Sequence, residues 1–291
     1  MITAILTSAP DATLPRQRLD QLCLDWAVDG ITWLAGNEAV MLHLSHMPDD
    51  HDRRWAEWQT EQVDLNFVQT APTPKRILIA DMDGTMIGQE CLDELAEMAG
   101  VGDHVRQVTA RAMNGELDFD DALRERVLLL KNQPATLIDR VLKERISFMS
   151  GAAILLATMR KHGAYAALVS GGFTPFTQYV SGQLGFDEHH GNALIIADDT
   201  LTGDVANPIN GKESKRQICL DLSARLHIPL SDILAVGDGA NDLAMLDTAG
   251  MGVAFRAKPV VAAASRWRIN HGDLTALLYL QGYQKDDFIF P

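Results

Sequence analysis

The chain has 291 residues, of which 47% are hydrophobic and 22% charged, and its formal charge is −14. That length suggests about two compact domains with a sizeable core, and the composition shows no bias toward disorder or collagen. The negative field opposes a nucleic-acid partner, since no basic patch reverses it, whereas a small anionic substrate is admissible beside a bound cation and one or two lysines.

In chain order, the apolar periodicity predicts a strand over 1–7, a helix over 15–27, strands over 31–35 and 39–44, a helix over 52–59 and a strand over 62–67. That order is βαββαβ, the ferredoxin-like split pattern. Thr70-Ala71-Pro72-Thr73-Pro74 follows, and its two prolines favour an extended linker. A domain boundary is expected there, dividing 1–70 from 71–291.

Beyond the linker, 76–80 reads as a short strand buried on both faces of a parallel sheet. A mostly helical stretch covers about 87–146, and strand signals return at 164–169, 193–197, 233–236 and 251–254. The expectation is an α/β core, about 75–86 and 147–291, whose doubly wound sheet carries a helical insertion after its first strand.

Cys23, Cys91 and Cys219 are odd in number, far apart and without a CxxC pair, which argues against a disulfide framework or a thiolate zinc site. The first basic residue is Arg16, so the start lacks the charged region of a secretory leader. The longest uncharged run, 163–186, is interrupted by Ser170, Gly171, Gly172, Pro175 and Gln178 and makes a poor membrane span. A cytoplasmic protein with reduced thiols and no membrane partner is expected.

The strongest chemical signal is Asp81-Met82-Asp83-Gly84-Thr85, at the carboxyl end of the first buried strand, where ligands bind in open α/β sheets. Two carboxylates two positions apart can face one polar pocket there. Leu168-Val169-Ser170-Gly171-Gly172 ends a second strand with a hydroxyl and amides that can approach a phosphate closely. Val236-Gly237-Asp238-Gly239-Ala240-Asn241-Asp242 ends a third in an acidic, glycine-rich turn. Carboxylates beside a phosphate need an intervening cation, and oxygen-only ligands select a hard ion such as Mg²⁺.

The run DMDGT, then VSGGF, a lysine and GDGANDLAML resembles the four-motif set of phosphatases of the haloacid dehalogenase (HAD) superfamily, over roughly Arg76 to the C-terminal region. That resemblance implies that Asp81 is the nucleophile forming an aspartyl phosphate, and that Asp83 is the general acid and base. It further implies that Asp81, the main-chain carbonyl of Asp83 and Asp238 hold Mg²⁺, with Asp242 behind them orienting ligands and a lysine. Ser170, the Gly171 amide, Asn241 and a lysine would hold the phosphate. Lys212 and Lys215 both qualify, and Lys215 has the better spacing to Gly237-Asp238 for this family.

Within the insertion, Gly88-Gln89-Glu90 and the stretch from Ala112-Met113-Asn114-Gly115 to Leu123-Arg124-Glu125-Arg126 resemble the cap of the phosphoserine phosphatase family. By that likeness Glu90 accepts the substrate ammonium, Arg126 clamps its carboxylate, and Met113 and Phe119 form an apolar lid. The bland alternatives are core packing for Met113 and Phe119 and a surface ion pair for Arg126. Gly84 departs from the serine common in that family. The implied activity is phosphoserine hydrolysis, with a HAD phosphatase or phosphotransferase acting on another small phosphomonoester as the alternative. The βαββαβ unit is similar to a regulatory ACT-type domain without a ligand motif, which leaves homodimer formation, effector binding and mere support all open. A non-catalytic amino-acid sensor is disfavoured, because Asp81, Asp83, Asp238 and a lysine are all retained.

Overall fold

A computed structural model describes residues 2–69, 71–113 and 116–291, with the Met113 side chain excepted. Thr70 of the expected linker and Asn114 and Gly115 of the cap stretch therefore lie outside the described residues. The N-terminal part runs β1 (Ile2–Ser8), α1 (Arg16–Asp25), β2 (Gly30–Ala35), β3 (Ala39–Leu44), α2 (His51–Thr60) and β4 (Val63–Val68). Its strands form one antiparallel sheet in the order β2-β3-β1-β4. A separate apolar cluster built on Leu6, Leu19, Leu22, Leu42, Trp58 and Leu65 holds the helices to that sheet.

The main sheet starts at β5 (Ile77–Ala80). Four helices follow, α3 (Cys91–Ala99), α4 (Gly102–Met113), α5 (Phe119–Leu128) and α6 (Thr136–Glu144), so the insertion is helical as expected. Helix α3 ends where Gly100 adopts φ +75°, a left-handed stop open to glycine. Asp118 caps α5 by accepting from Asp121 N–H at 2.8 Å. On α6, Leu137, Ile138 and Val141 make one buried stripe.

The chain then gives α7 (Ala152–Lys161), β6 (Tyr165–Phe173), α8 (Thr174–Leu184) and β7 (Glu188–Asn192). Next come β8 (Leu194–Ala197), β9 (Thr200–Val205), α9 (Lys212–Leu226), β10 (Ile233–Gly237) and α10 (Leu243–Thr248). It closes with β11 (Met251–Phe255), α11 (Pro259–Ala264), β12 (Trp267–Ile269) and α12 (Ala276–Leu280). Six strands form the sheet β12-β11-β10-β5-β6-β7, all pairs parallel.

From β5 the strands are added outward to β7, then the chain crosses back and adds β10, β11 and β12 on the other side. The switch point lies between β5 and β10, where an open α/β sheet forms its ligand crevice. Ala80 is in register with both Leu168 and Val236, so the turns after β5, β6 and β10 start level with one another. Ile77–Ala80, Ala166–Val169 and Ile233–Val236 are completely buried. Each large apolar side chain among them contributes roughly 1.5–3 kcal/mol to the rigidity of that base.

One expected strand belongs elsewhere. The apolar run at 193–197 is not in the main sheet: β8 pairs antiparallel with β9 in a separate two-stranded hairpin, and Ile195 and Ile196 are exposed. The edge strand on that side of the sheet is the preceding polar segment, β7. The hairpin instead meets the cap, with Asn132 N–H donating to Leu201 O at 2.9 Å and Ala135 N–H to Asp199 O at 2.8 Å. Arg124 on α5 adds a bond to Asp204 at 2.8 Å.

The two sheets abut at β4 and β12. The Asn66 amide donates to Arg268 O at 2.8 Å and accepts from Arg268 N–H at 2.9 Å. Buried Asp64 accepts N–H bonds from Asn270, His271 and Gly272. Trp267 Nε1 donates to Phe67 O at 2.9 Å.

Candidate active site

Asp81 is the first residue past β5 and is buried. Its Oδ1 accepts the Met82 N–H at 2.8 Å and Lys215 Nζ at 2.6 Å. Lys215, on α9, is completely buried and gives a second 2.6 Å bond to Asp242 Oδ1. Of the two candidate lysines it is thus Lys215 that reaches the aspartates, while Lys212 is exposed at the start of α9. Asp242 is also fully buried rather than a solvated helix-start acid, and its Oδ2 accepts the Gly239 N–H at 2.9 Å.

Asp81, Asp238 and Asp242 each offer a carboxylate oxygen within 4.8 Å of the others, an all-oxygen set suited to a hard divalent cation. Their charges agree with that fit. Burial, then Asp242, pushes the Asp81 carboxyl well above the usual range against the pull of Lys215. Burial, then Asp242 and Glu90, raises Asp238 to about 6, although Lys258 and a 3.2 Å bond from Thr85 Oγ1 oppose the shift. Burial works to discharge Lys215, but Asp81 and Asp242 outweigh it and hold the ammonium above its ordinary value. A pocket with this surplus of negative charge is relieved by a cation. Gly84 has φ +68°, and a Cβ there would stand 2.8 Å from Asp238 Oδ2, so the backbone of the turn is pressed against that carboxylate.

Asp83 stands apart from the trio and is half-buried. Burial, then the Glu90 charge, pushes it up to about 7, near the working range of a general acid. Ser170 is buried with its Oγ accepting the Gly172 N–H at 2.8 Å. Gly171 O accepts from Asn192 Nδ2 at 2.7 Å, and Asn192 Oδ1 accepts the Asn210 N–H at 2.7 Å. Buried Asn192 thereby ties the Gly171 turn to the segment leading into α9, a role with no sequence signal beyond an isolated amide. Asn241 is half-buried, its Oδ1 crowding Gly239.

The cap closes on this base. Its two strands of entry and exit are stitched by Gln89, whose amide donates to Ser147 Oγ at 2.8 Å and accepts the Ser147 N–H at 3.0 Å. Glu90 is exposed just before α3. Arg126 is half-buried on α5, and its side-chain hydrogen bond among the described residues is Nε to Ala122 O at 3.1 Å. Burial lowers its pKa, with the Asp93 and Glu90 charges opposing, and among the described residues no carboxylate pairs with it. Glu125 pairs instead with Arg111 at 2.5 Å. Phe119 is 37% exposed, and its ring would lie 3.2 Å from a Cβ placed on Gly171 or Gly211, so it covers both glycines rather than filling a core. The Met113 side chain is outside the described residues.

Residues 78–247 match the family model of haloacid dehalogenase-like hydrolases. A probable phosphoserine phosphatase of Schizosaccharomyces pombe is 41% identical over 227 residues, 77% of this chain and 76% of that protein. The phosphoserine phosphatase of Vibrio cholerae is 37% identical over 244 residues, 83% and 73% of the two chains. The chain belongs to the phosphoserine phosphatase family of HAD hydrolases. Among solved structures, a HAD family hydrolase of Salmonella enterica serovar Typhi matches with TM-score 0.84 at 31% identity, covering 96% of this chain and 98% of that one. A substrate-bound phosphoserine phosphatase complex matches with TM-score 0.66 at 36% identity, covering 71% of this chain and 98% of that one. The HAD fold therefore extends through the sheet, its switch-point crevice and the helical insertion.

Proposed function

We propose that this HAD hydrolase cleaves O-phosphoserine to serine and phosphate through a phosphoryl group carried on Asp81. The observation that carries the reading is Arg126: a half-buried guanidinium that pairs with no carboxylate among the described residues, in the cap that closes on Asp83 and Gly171, with the Glu90 charge acting on it. A substrate bearing an ammonium, a carboxylate and a phosphate on one small skeleton satisfies Glu90, Arg126 and the crevice together. Phe119 closes over it and excludes water from the acyl phosphate.

Ser170, the Gly171 amide, Asn241 and Lys215 hold the phosphate oxygens. Oδ1 of Asp81 already carries two donors, which leaves Oδ2 to attack. As the Asp81 oxygen bonds to phosphorus, the bond from phosphorus to the serine oxygen breaks, and the Asp83 proton passes to that oxygen. Water then attacks phosphorus, Asp83 takes its proton, and the acyl phosphate bond breaks to return Asp81. Asp81, the carbonyl of Asp83 and Asp238 would hold Mg²⁺, which supplies charge neutralisation for the phosphoryl group. Asp242 fixes Lys215 from behind. The same reading treats 1–70 as a unit distinct from the hydrolase unit 71–291, with its cap over about 87–146, and places the enzyme in the cytoplasm without nucleic-acid partners.

The test is phosphate release from phosphoserine against a panel of phosphomonoesters, with EDTA and with Mg²⁺ or Ca²⁺ restored. Phosphoserine should lead the panel, Mg²⁺ should restore activity and Ca²⁺ should do so poorly. Preference for another ester would overturn the substrate, and undiminished hydrolysis in excess chelator the metal.

A further inference from the structure

The phosphate crevice is built from elements that the chain brings in separately, and one side chain spans the gap between two of them. Asn192 is the last residue of β7, level with Phe173 at the end of β6, and is only 1% exposed. Its Nδ2 donates to Gly171 O at 2.7 Å and to Asn210 O at 3.4 Å, and its Oδ1 accepts the Asn210 N–H at 2.7 Å. Asn210 Nδ2 returns to Gly191 O at 3.0 Å, and Gly211 O, one residue on, accepts the Lys215 N–H at 3.2 Å. One amide therefore sets the distance between the turn that carries Ser170 and the helix that carries Lys215. Phe119 of the cap crosses the same seam: a Cβ on Gly171 or on Gly211 would lie 3.2 Å from its ring, so the two glycines form its seat.

The peptide between Gly171 and Gly172 needs such a hold, because its two flanking torsions carry no Cβ restraint and its reversal is sterically cheap. In the orientation that Asn192 holds, the Gly172 N–H donates to Ser170 Oγ at 2.8 Å. The hydroxyl is thus an acceptor on that side, and its own hydrogen has no acceptor among the described residues. We propose that Asn192 is a positioning residue for the phosphate: by fixing Gly171 O it locks this peptide, keeps the Gly172 N–H on Ser170, and so presents the Ser170 hydroxyl hydrogen to the phosphate in register with Lys215. Asn192 acts through these groups and not by contact with the phosphate. This rests on the reading of Ser170 and the Gly171 turn as the holders of the phosphate oxygens.

The competing account is a buried amide that merely satisfies main-chain groups, whose loss would cost stability and nothing else. Asn192→Ala and Asn192→Leu, one smaller and one of similar volume, are compared with Asn210→Ala, which loses the neighbouring bond to Gly191 O but leaves Gly171 O held. The measurements are kcat and KM for phosphoserine with Mg²⁺, competitive inhibition by inorganic phosphate, and thermal unfolding. In either folded Asn192 variant kcat/KM should fall and the phosphate Ki should rise, each roughly tenfold to a hundredfold, the effect of disordering one preorganised donor. Asn210→Ala should leave both close to the parent's, even where its Tm falls. The preference for phosphoserine over phosphoethanolamine should persist in the Asn192 variants, because the two esters share the group that this turn holds. A folded Asn192 variant with the parental phosphate Ki, or Asn210→Ala losing as much as Asn192→Ala, overturns the proposal. Ser170→Ala separates the proposal from the reading beneath it. If that variant also keeps the parental phosphate Ki and KM, the cradle itself is misassigned; if it loses affinity while the Asn192 variants do not, only the positioning role falls.

Discussion

Replacing Lys215 with methionine tests the charge arrangement of the crevice directly. In the parent, one fully buried ammonium sits 2.6 Å from Asp81 Oδ1 and 2.6 Å from Asp242 Oδ1, with Asp238 close by. Lys215→Met keeps the volume and removes the cation, leaving three clustered carboxylates. Breaking a buried pair from one side costs about 3–5 kcal/mol. At roughly 2–4 °C per kcal/mol for a chain of this order of size, Tm in EDTA should fall by roughly 6–20 °C. Mg²⁺ should then raise Tm more in the variant than in the parent, because the site has one more uncompensated charge for the ion to neutralise. Lys212→Met, at an exposed position, should stay within about 0.5 kcal/mol of the parent. Phosphoserine turnover should drop on the order of a hundredfold or more in Lys215→Met, since a preorganised donor to the phosphoryl group is lost. Thermal unfolding with and without Mg²⁺ reads the first effects and phosphate release the last. A Lys215→Met protein that melts with the parent in EDTA would refute the reasoning.

Asp81→Asn should abolish phosphate release while leaving Tm in Mg²⁺ close to the parent's, and full activity would remove Asp81 from the mechanism. Arg126→Ala should lower kcat/KM for phosphoserine roughly tenfold to several hundredfold, as expected for a lost charge-assisted pair, and much less for phosphoethanolamine. Equal loss on both would make Arg126 a structural brace. Asp83, raised to about 7 by burial and then by Glu90, must be protonated to act as the acid, so kcat/KM should fall as pH rises past that region. Glu90→Gln removes a repelling charge, lowers the Asp83 pKa and should move the alkaline limb to lower pH. A limb that stays or moves upward in the pH profile counts against this assignment.

The core chemistry was legible because each motif follows a fully apolar strand, and a run such as Ile77–Ala80 can only be buried on both faces. The hairpin was misread for the same reason. Leu194–Ala197 is apolar, and composition says nothing about which partner a strand finds; here it pairs with β9 and leaves two isoleucines exposed. Glu188–Asn192 is polar because an edge strand need not be buried, so β7 gave no signal, and β12 is only three residues long. Within the site, the first-motif aspartates could be picked out from spacing along the chain. Asn192 and Thr85 could not, since each acts on a group brought near by folding, such as Thr85 on Asp238 across 153 positions.

The meeting of β4 with β12 has a consequence for the margin of the main sheet. β12 ends a parallel sheet, and such an end offers a row of free amides and carbonyls to any passing strand. Here the Asn66 amide occupies both main-chain groups of Arg268, and the Asp64 carboxylate takes the amides of Asn270, His271 and Gly272 just past the strand. Side chains, which cannot propagate a ladder, thus stand where another strand would dock. A chain cut at residue 71 would expose a bare sheet margin and three amides without acceptors, and the first symptom would be aggregation rather than loss of chemistry.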